Sequence, residues 1–148
     1  MKKILLSILV VFAVIACSTA KNSSKEANDT EITETSASIE WQSTKSMSHA
    51  LELAKESGKP ILIDVSTDWC GYCKKMKKNV YTDAAVISKV TSDYIPLALN
   101  GEKGEGIAFV KQHRISGYPT QIILDKDGKV INRHVGYTNA EGFLAFIK

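Results

Sequence analysis

The stretch Ile61-Leu62-Ile63-Asp64-Val65-Ser66-Thr67-Asp68-Trp69-Cys70-Gly71-Tyr72-Cys73-Lys74-Lys75-Met76 runs an apolar strand straight into a helix that opens on two cysteines. Ile61 to Val65 is near-continuously apolar over a strand's length, the pattern of a strand covered by helices on both faces. The helix begins near Cys70. Cys73, Met76 and Val80 fall on one side at i, i+3 and i+7, while Lys74, Lys75, Lys77 and Lys78 take much of the rest. At such a junction the C-x-x-C spacing puts the first sulfur at the open helix N-terminus and the second about one turn further in. One thiol then faces solvent and its partner sits behind it. The first four helical N–H groups lack intrahelical acceptors and can bond a thiolate. The macrodipole supplies about 0.3–1 kcal/mol against about 1.4 kcal/mol per pKa unit, so any larger shift must come from direct N–H bonds to sulfur.

Outward from this junction, Ser46 followed by Met47, Ala50, Leu51 and Ala54 reads as an N-cap and a helical apolar stripe, stopped by Gly58 and Pro60. A second short helix is expected from Asp83 to Val90, a strand from Tyr94 to Leu99, and a helix from Gly104 to His113 with Ile107, Ala108 and Val110 inward. Thr120 to Leu124 and Lys129 to Val135 read as antiparallel strands joined by the tight turn Asp125-Lys126-Asp127-Gly128. Gly136 ends the second, Asn139 caps, and Phe143, Leu144 and Ile147 form the apolar face of a closing helix. The order α, β, α, α, β, α, β, β, α predicts an α/β fold with a central mixed β-sheet flanked by helices and an extra N-terminal helix.

At 148 residues, 44% hydrophobic and 24% charged, the chain has the balance of one ordinary globular domain. Its net charge is +3, two units of which lie on Lys2 and Lys3 in a removable leader, which rules out a strong electrostatic case for nucleic acid. That leader, residues 1–16, has the positive start and apolar run of an export signal, too short to be a comfortable membrane span. Val14-Ile15-Ala16-Cys17 resembles a bacterial lipobox, which implies a lipidated Cys17 and an anchor in a membrane. Ser18 to Ile39 has no aromatic residue and no hydrophobic periodicity, so residues 17–40 read as the lipidated cysteine and a solvated tether. Fully extended, that tether would reach roughly 70 Å. The folded domain is then 41–148.

With Cys17 assigned to lipid by that resemblance, Cys70 and Cys73 remain, in an exported and oxidising compartment, and are expected to pair. Trp69-Cys70-Gly71-Tyr72-Cys73-Lys74 resembles the redox signature of the thioredoxin superfamily, and the resemblance extends over roughly Trp41 to Lys148. Asp64, six residues before Cys70, stands where that family holds a buried acid. Tyr118-Pro119-Thr120 after Ile115-x-Gly117 resembles its cis-proline loop, and Gly136 its glycine after the last strand. The additional N-terminal helix and the wording Trp-Cys-x-x-Cys-Lys-Lys-Met look most like periplasmic thioredoxin-like domains related to the C-terminal domain of DsbD. Two positions depart from the pattern. Gly71-Tyr72 replaces thioredoxin's Gly-Pro, and Ala98 stands where thioredoxin has a lysine near its acid, so Asp64 loses a cationic neighbour.

The resemblance implies a membrane-tethered, periplasm-facing thiol:disulfide oxidoreductase in a bacterial envelope, monomeric, more on the reducing than the oxidising side. Cys70 would attack a partner disulfide, Cys73 would resolve the mixed disulfide, and Asp64 would take the proton of Cys73 through water. Trp69, Gly71, Tyr72, Tyr118 and Pro119 would form the substrate face, with the Tyr118 backbone pairing to an extended segment. The expected partners are disulfide-containing exported proteins and a transmembrane thiol electron donor. No dinucleotide loop, haem attachment or nucleotide-binding lysine loop occurs, so the redox-active Cys70–Cys73 pair is the whole redox equipment expected, without cofactor or metal. Other readings stay open: a disulfide-donating oxidase, a non-redox peptide-binding lipoprotein, an inert structural disulfide, half a zinc site completed from His49, His113 and His134, or an ordinary trans proline. Trp69 and Tyr72 would look the same as simple packing residues, and the lysine run as a solvated helix face.

Overall fold

The structure is a computed structural model that describes residues 38–41 and 46–148. The leader 1–16, Cys17 and the tether as far as residue 37 lie outside the described residues. Helix α1 (Met47–Ser57) is capped by Ser46, whose Oγ accepts the His49 N–H, and closed by Gly58 at φ 74°. Strand β1 (Ile61–Ser66) is buried at every position. Helix α2 (Gly71–Asn79) has Cys70 as its N-cap, and α3 (Ala84–Asp93) is capped by Asp83 and runs three residues beyond the expected Val90. Strand β2 (Ile95–Asn100), helix α4 (Glu105–Gln112), strands β3 (Thr120–Leu124) and β4 (Val130–Val135), and helix α5 (Ala140–Phe146) complete the order, with Asn139 accepting the Gly142 N–H. Among the described residues no helix is long and apolar enough to cross a membrane.

The four strands lie in the order β2-β1-β3-β4; β1 and β2 are parallel, while β3 is antiparallel to both β1 and β4. The period of two along β1 splits the core. Ile61, Ile63 and Val65 pack with Ala50, Ala54 and Phe109 beneath α1 and α4. Leu62 packs on the other face with Met76, Val80, Val86, Ile87, Val90 and Phe143 beneath α2, α3 and α5. Asp64 shares that second face, so the pleat itself carries a carboxylate into the core under the cysteine-bearing helix.

Two expectations are corrected. Ile39, read as part of the 17–40 tether, is only 7% exposed and belongs to the core, with Trp41 packed beside it at 4.9 Å from the Tyr81 ring. One apolar side chain in a polar run escapes a periodicity argument, and here it closes the edge of the α2–α3 face. In α4 the inward residues are Gly106, Phe109 and Val110, whereas Ile107 and Ala108 are exposed. The phase is set by Gly106. A Cβ there would overlap the Asn100 carbonyl oxygen, so the helix seats on the end of β2 by its glycine and turns Ile107 to solvent.

Candidate active site

Cys70 and Cys73 are joined by a disulfide with Cα atoms 5.3 Å apart. Cys70 occupies the N-cap because the chain leaves β1 through Ser66-Thr67-Asp68-Trp69 and turns helical at Gly71. Its Sγ, here in the disulfide, accepts the Cys73 N–H at 3.0 Å. The expected contrast in exposure is smaller than anticipated: Cys70 is 5% exposed and Cys73 2%.

Asp64 is buried at 2% exposure and its Oδ1 accepts from Tyr81 Oη at 2.8 Å and Gln121 Nε2 at 3.0 Å. Gln121 Nε2 also reaches Tyr81 Oη at 3.2 Å, closing a triangle. Neither Tyr81 nor Gln121 was singled out from the sequence. Gln121 arrives through sheet register, directly opposite Asp64 on β3, and its signal was a lone amide in the apolar strand Thr120–Leu124. Tyr81 follows α2, and its ring is pinned edge-on by Phe143 at 5.5 Å. On the other side of Asp64 the register partner in β2 is Ala98. Burial pushes the Asp64 carboxyl above its ordinary value of 3.8; hydrogen bonds from Gln121 and Tyr81 and the charge of Lys77 pull the other way and offset it only in part. Tyr81 is likewise raised well above the ordinary phenol value by burial and by the Asp64 charge, so it stays a donor.

The buried acid makes stability depend on pH. The folded state holds the Asp64 proton more tightly than the unfolded chain does, so ionising it costs nothing below pH 3.8 and costs progressively more as pH rises through the folded-state pKa. Asp64→Asn keeps an oxygen to accept from Tyr81 and Gln121 and removes that cost. We expect the variant to be more stable than wild type at pH 7, by about 1.4 kcal/mol for each tenfold by which folding tightens proton binding, with the gain fading toward pH 3. Urea denaturation between pH 3 and 8 measures it; a pH-independent difference would mean that the buried charge is not the cause.

The outer face is aromatic. Trp69 and Tyr72 are 66% and 63% exposed. Trp69 Nε1 donates to the Glu102 carboxylate at 3.0 Å, and its ring meets Tyr118 edge-on at 6.0 Å. Tyr72 lies 6.2 Å from Tyr137, over which the Lys75 ammonium sits at 4.5 Å. The loop after β2 is stitched to the one before the cysteines. Asn100 and Lys103 both donate to Asp68, at 3.0 and 2.6 Å, and the Gly101 N–H bonds the Ser66 carbonyl. The Tyr118–Pro119 peptide bond is cis, and its loop is braced by Thr120 Oγ1 to the Gly117 carbonyl and by the Gly136 N–H to the Pro119 carbonyl. The structure thus gathers Trp69 with Tyr118 and couples Cys70 to Cys73. Among the described residues no group of three metal-ligating side chains assembles; His49 lies near Glu52, His113 on Phe109 and His134 near Phe146.

Comparison with known proteins agrees with this geometry. The family model described as thioredoxin-like domain matches residues 47–148. The thiol:disulfide interchange protein DsbD of Pectobacterium atrosepticum is 36% identical over 101 residues, 65% of this chain and 17% of its own length. The DsbD of Yersinia enterocolitica is 31% identical over 99 residues with the same two shares, so the chain spans 17% of the length of these curated relatives. A solution structure from Bacteroides thetaiotaomicron, provisionally described as a disulphide-isomerase, is 31% identical with a TM-score of 0.67 over 74% of this chain and 90% of that one. The oxidised C-terminal domain of Neisseria meningitidis DsbD, at 23% identity and a TM-score of 0.56 over 66% of this chain and 86% of that one, is alike in fold.

Proposed function

The chain belongs to the thioredoxin-like domain family and is related to DsbD, and from that premise we propose that it is a thiol:disulfide oxidoreductase that reduces disulfides of exported proteins from a lipid anchor at Cys17, facing the periplasm. One observation carries the redox part of the reading: Cys70 sits on the N-cap of α2 with its sulfur bonded to the Cys73 N–H, and a buried carboxyl lies on the sheet face beneath the same helix. In the reduced protein that N–H favours a Cys70 thiolate. The thiolate attacks a partner disulfide and forms a mixed disulfide, releasing the first partner sulfur. Cys73 then loses its proton toward Asp64, attacks Cys70 Sγ, and releases the second partner sulfur, which takes up a proton. Two electrons pass to the partner, and the protein is left with the Cys70–Cys73 bond seen here. A transmembrane thiol donor would return it to the dithiol.

Trp69 and Tyr72 offer exposed ring surface for the partner segment, with the half-buried Tyr118 edge-on to Trp69 and preceding the braced Pro119 carbonyl, where an extended chain would pair. Insulin-disulfide reduction by the purified protein, driven by dithiothreitol, tests the activity, and a protein that binds unfolded peptide without turning over insulin would instead be the peptide-binding lipoprotein. Direction is tested by equilibration against glutathione. A potential near thioredoxin's, about −270 mV, supports reduction, whereas one near DsbA's, about −120 mV, assigns disulfide donation; that gap is worth about 7 kcal/mol for two electrons.

A further inference from the structure

Two cavities of ≈ 370 Å³ each adjoin beneath α2. The first is lined by Ser38, Ile39, Trp41, Asp64, Lys77, Tyr81 and Ala98. The second, reaching Cys73, is bounded also by Lys74, Asp68 and Asn100. Lys77 and Ala98 are the two residues common to both walls. The buried acid and the inner cysteine therefore open onto neighbouring spaces divided by one ammonium-bearing chain and one methyl group. Ala98 is the strand partner of Asp64 and carries no charge. Lys77, from the helix above, is the cation that acts on Asp64, and it acts on Asp68 as well.

We propose that Lys77 is a positioning residue for the thiol chemistry: on the wall shared by the two cavities, its ammonium steadies the Asp64 carboxylate while the proton of Cys73 is transferred, supplying from α2 the positive charge that β2 lacks at Ala98. This deepens the thiol-exchange reading and rests on it. The balance of the step is unchanged. Cys73 Sγ–H loses its proton through water in the cavities to the Asp64 carboxylate, the Cys73–Cys70 bond forms, and the Cys70–partner bond breaks with the electron pair leaving on the partner sulfur. Tyr81 and Gln121 donate to Oδ1, and α5 contributes Phe143 behind Tyr81 without charge. The Ser38–Trp41 segment, which lines the first cavity, also carries the Glu40 carboxylate, which accepts from Ser38. Lys77 is itself exposed on α2, so replacing it does not disturb the core.

The test is a carboxyl NMR titration of Asp64 in the reduced full-length protein, alongside the pH profile of single-turnover mixed-disulfide release. In Lys77→Met the Asp64 midpoint should move upward. On the acid limb of the profile release should slow about three- to tenfold, while the alkaline plateau, where Asp64 is ionised in either protein, stays at the wild-type rate. Lys77→Arg should restore both readouts, and Lys78→Met, an exposed lysine on the same helix, should move neither. Asp64→Asn should make Lys77→Met silent. An unmoved Asp64 midpoint in Lys77→Met overturns the proposal while leaving insulin reduction, and the thiol-exchange reading, intact. A wild-type protein that does not reduce insulin fails that reading and takes the proton-transfer role of Lys77 with it.

Discussion

Cys70→Ser is expected to cut disulfide turnover by on the order of a thousandfold or more, whereas Cys73→Ser should still attack but stall as a mixed disulfide with its partner. The asymmetry follows from the local structure. Cys70 is the helix cap, and its sulfur already receives a backbone N–H, so its thiolate is the better stabilised. Cys73 lies one turn in, next to the cavity bounded by Lys77, and in the proposed exchange its task is intramolecular. Removing the attacking sulfur ends the first step. Removing the resolving sulfur leaves that step intact and blocks only release, so the covalent adduct accumulates. Non-reducing electrophoresis with a disulfide-bonded peptide reads the adduct, and insulin turbidity reads turnover. Turnover surviving in Cys70→Ser, or an adduct forming on Cys73 in preference to Cys70, would reverse the assignment of attacker and resolver.

The parts of this site that could be read from sequence are those whose neighbours are also neighbours along the chain. A strand buried at all six positions announces itself as an apolar run, and the cysteine pair at its end follows within one helical turn. Caps are equally local: Ser46, Asp83 and Asn139 each bond an N–H two or three residues ahead. Asp64 was singled out by resemblance, because it stands six residues before Cys70, where the thioredoxin superfamily holds a buried acid. What was not found depends on pairing across the sheet or over it. Gln121 reaches Asp64 only because β3 runs antiparallel to β1 in one particular register, and a one-residue slip would turn its amide to the opposite face. Tyr81 and Ile39 meet the same face from segments without a helical or strand period. The absence of a lysine at Ala98 was legible, but that Lys77 on a different element lines the same cavity as Asp64 could be seen only with α2 folded over the sheet.

Helix α4 shows how one backbone contact can overrule an apolar pattern, and it yields the largest stability effect we expect. Gly106→Ala should destabilise the protein by about 2–3 kcal/mol, a fall in Tm of roughly 10–20 °C. An alanine in a helix interior is ordinarily favoured over glycine by about 1 kcal/mol, and this is the opposing term. Overpacking wins because the new methyl would overlap the Asn100 carbonyl, a backbone atom that has no rotamer to change. Either α4 lifts from β2, loosening Phe109 from its cluster, or Asn100 moves. Moving Asn100 also strains its bond to Asp68 and the following Glu102, which holds the Trp69 indole, so insulin turnover should fall with stability. Ile107→Gln, at a residue 56% exposed, should by contrast stay within about 0.5 kcal/mol of wild type. The apolar pattern alone assigns the opposite ranking, with Ile107 in the core and Gly106 incidental. Thermal denaturation of the two variants therefore decides whether the phase of this helix is set by its greasiest residue or by its smallest, and a costly Ile107→Gln beside a neutral Gly106→Ala would mean that α4 sits rotated from the orientation described.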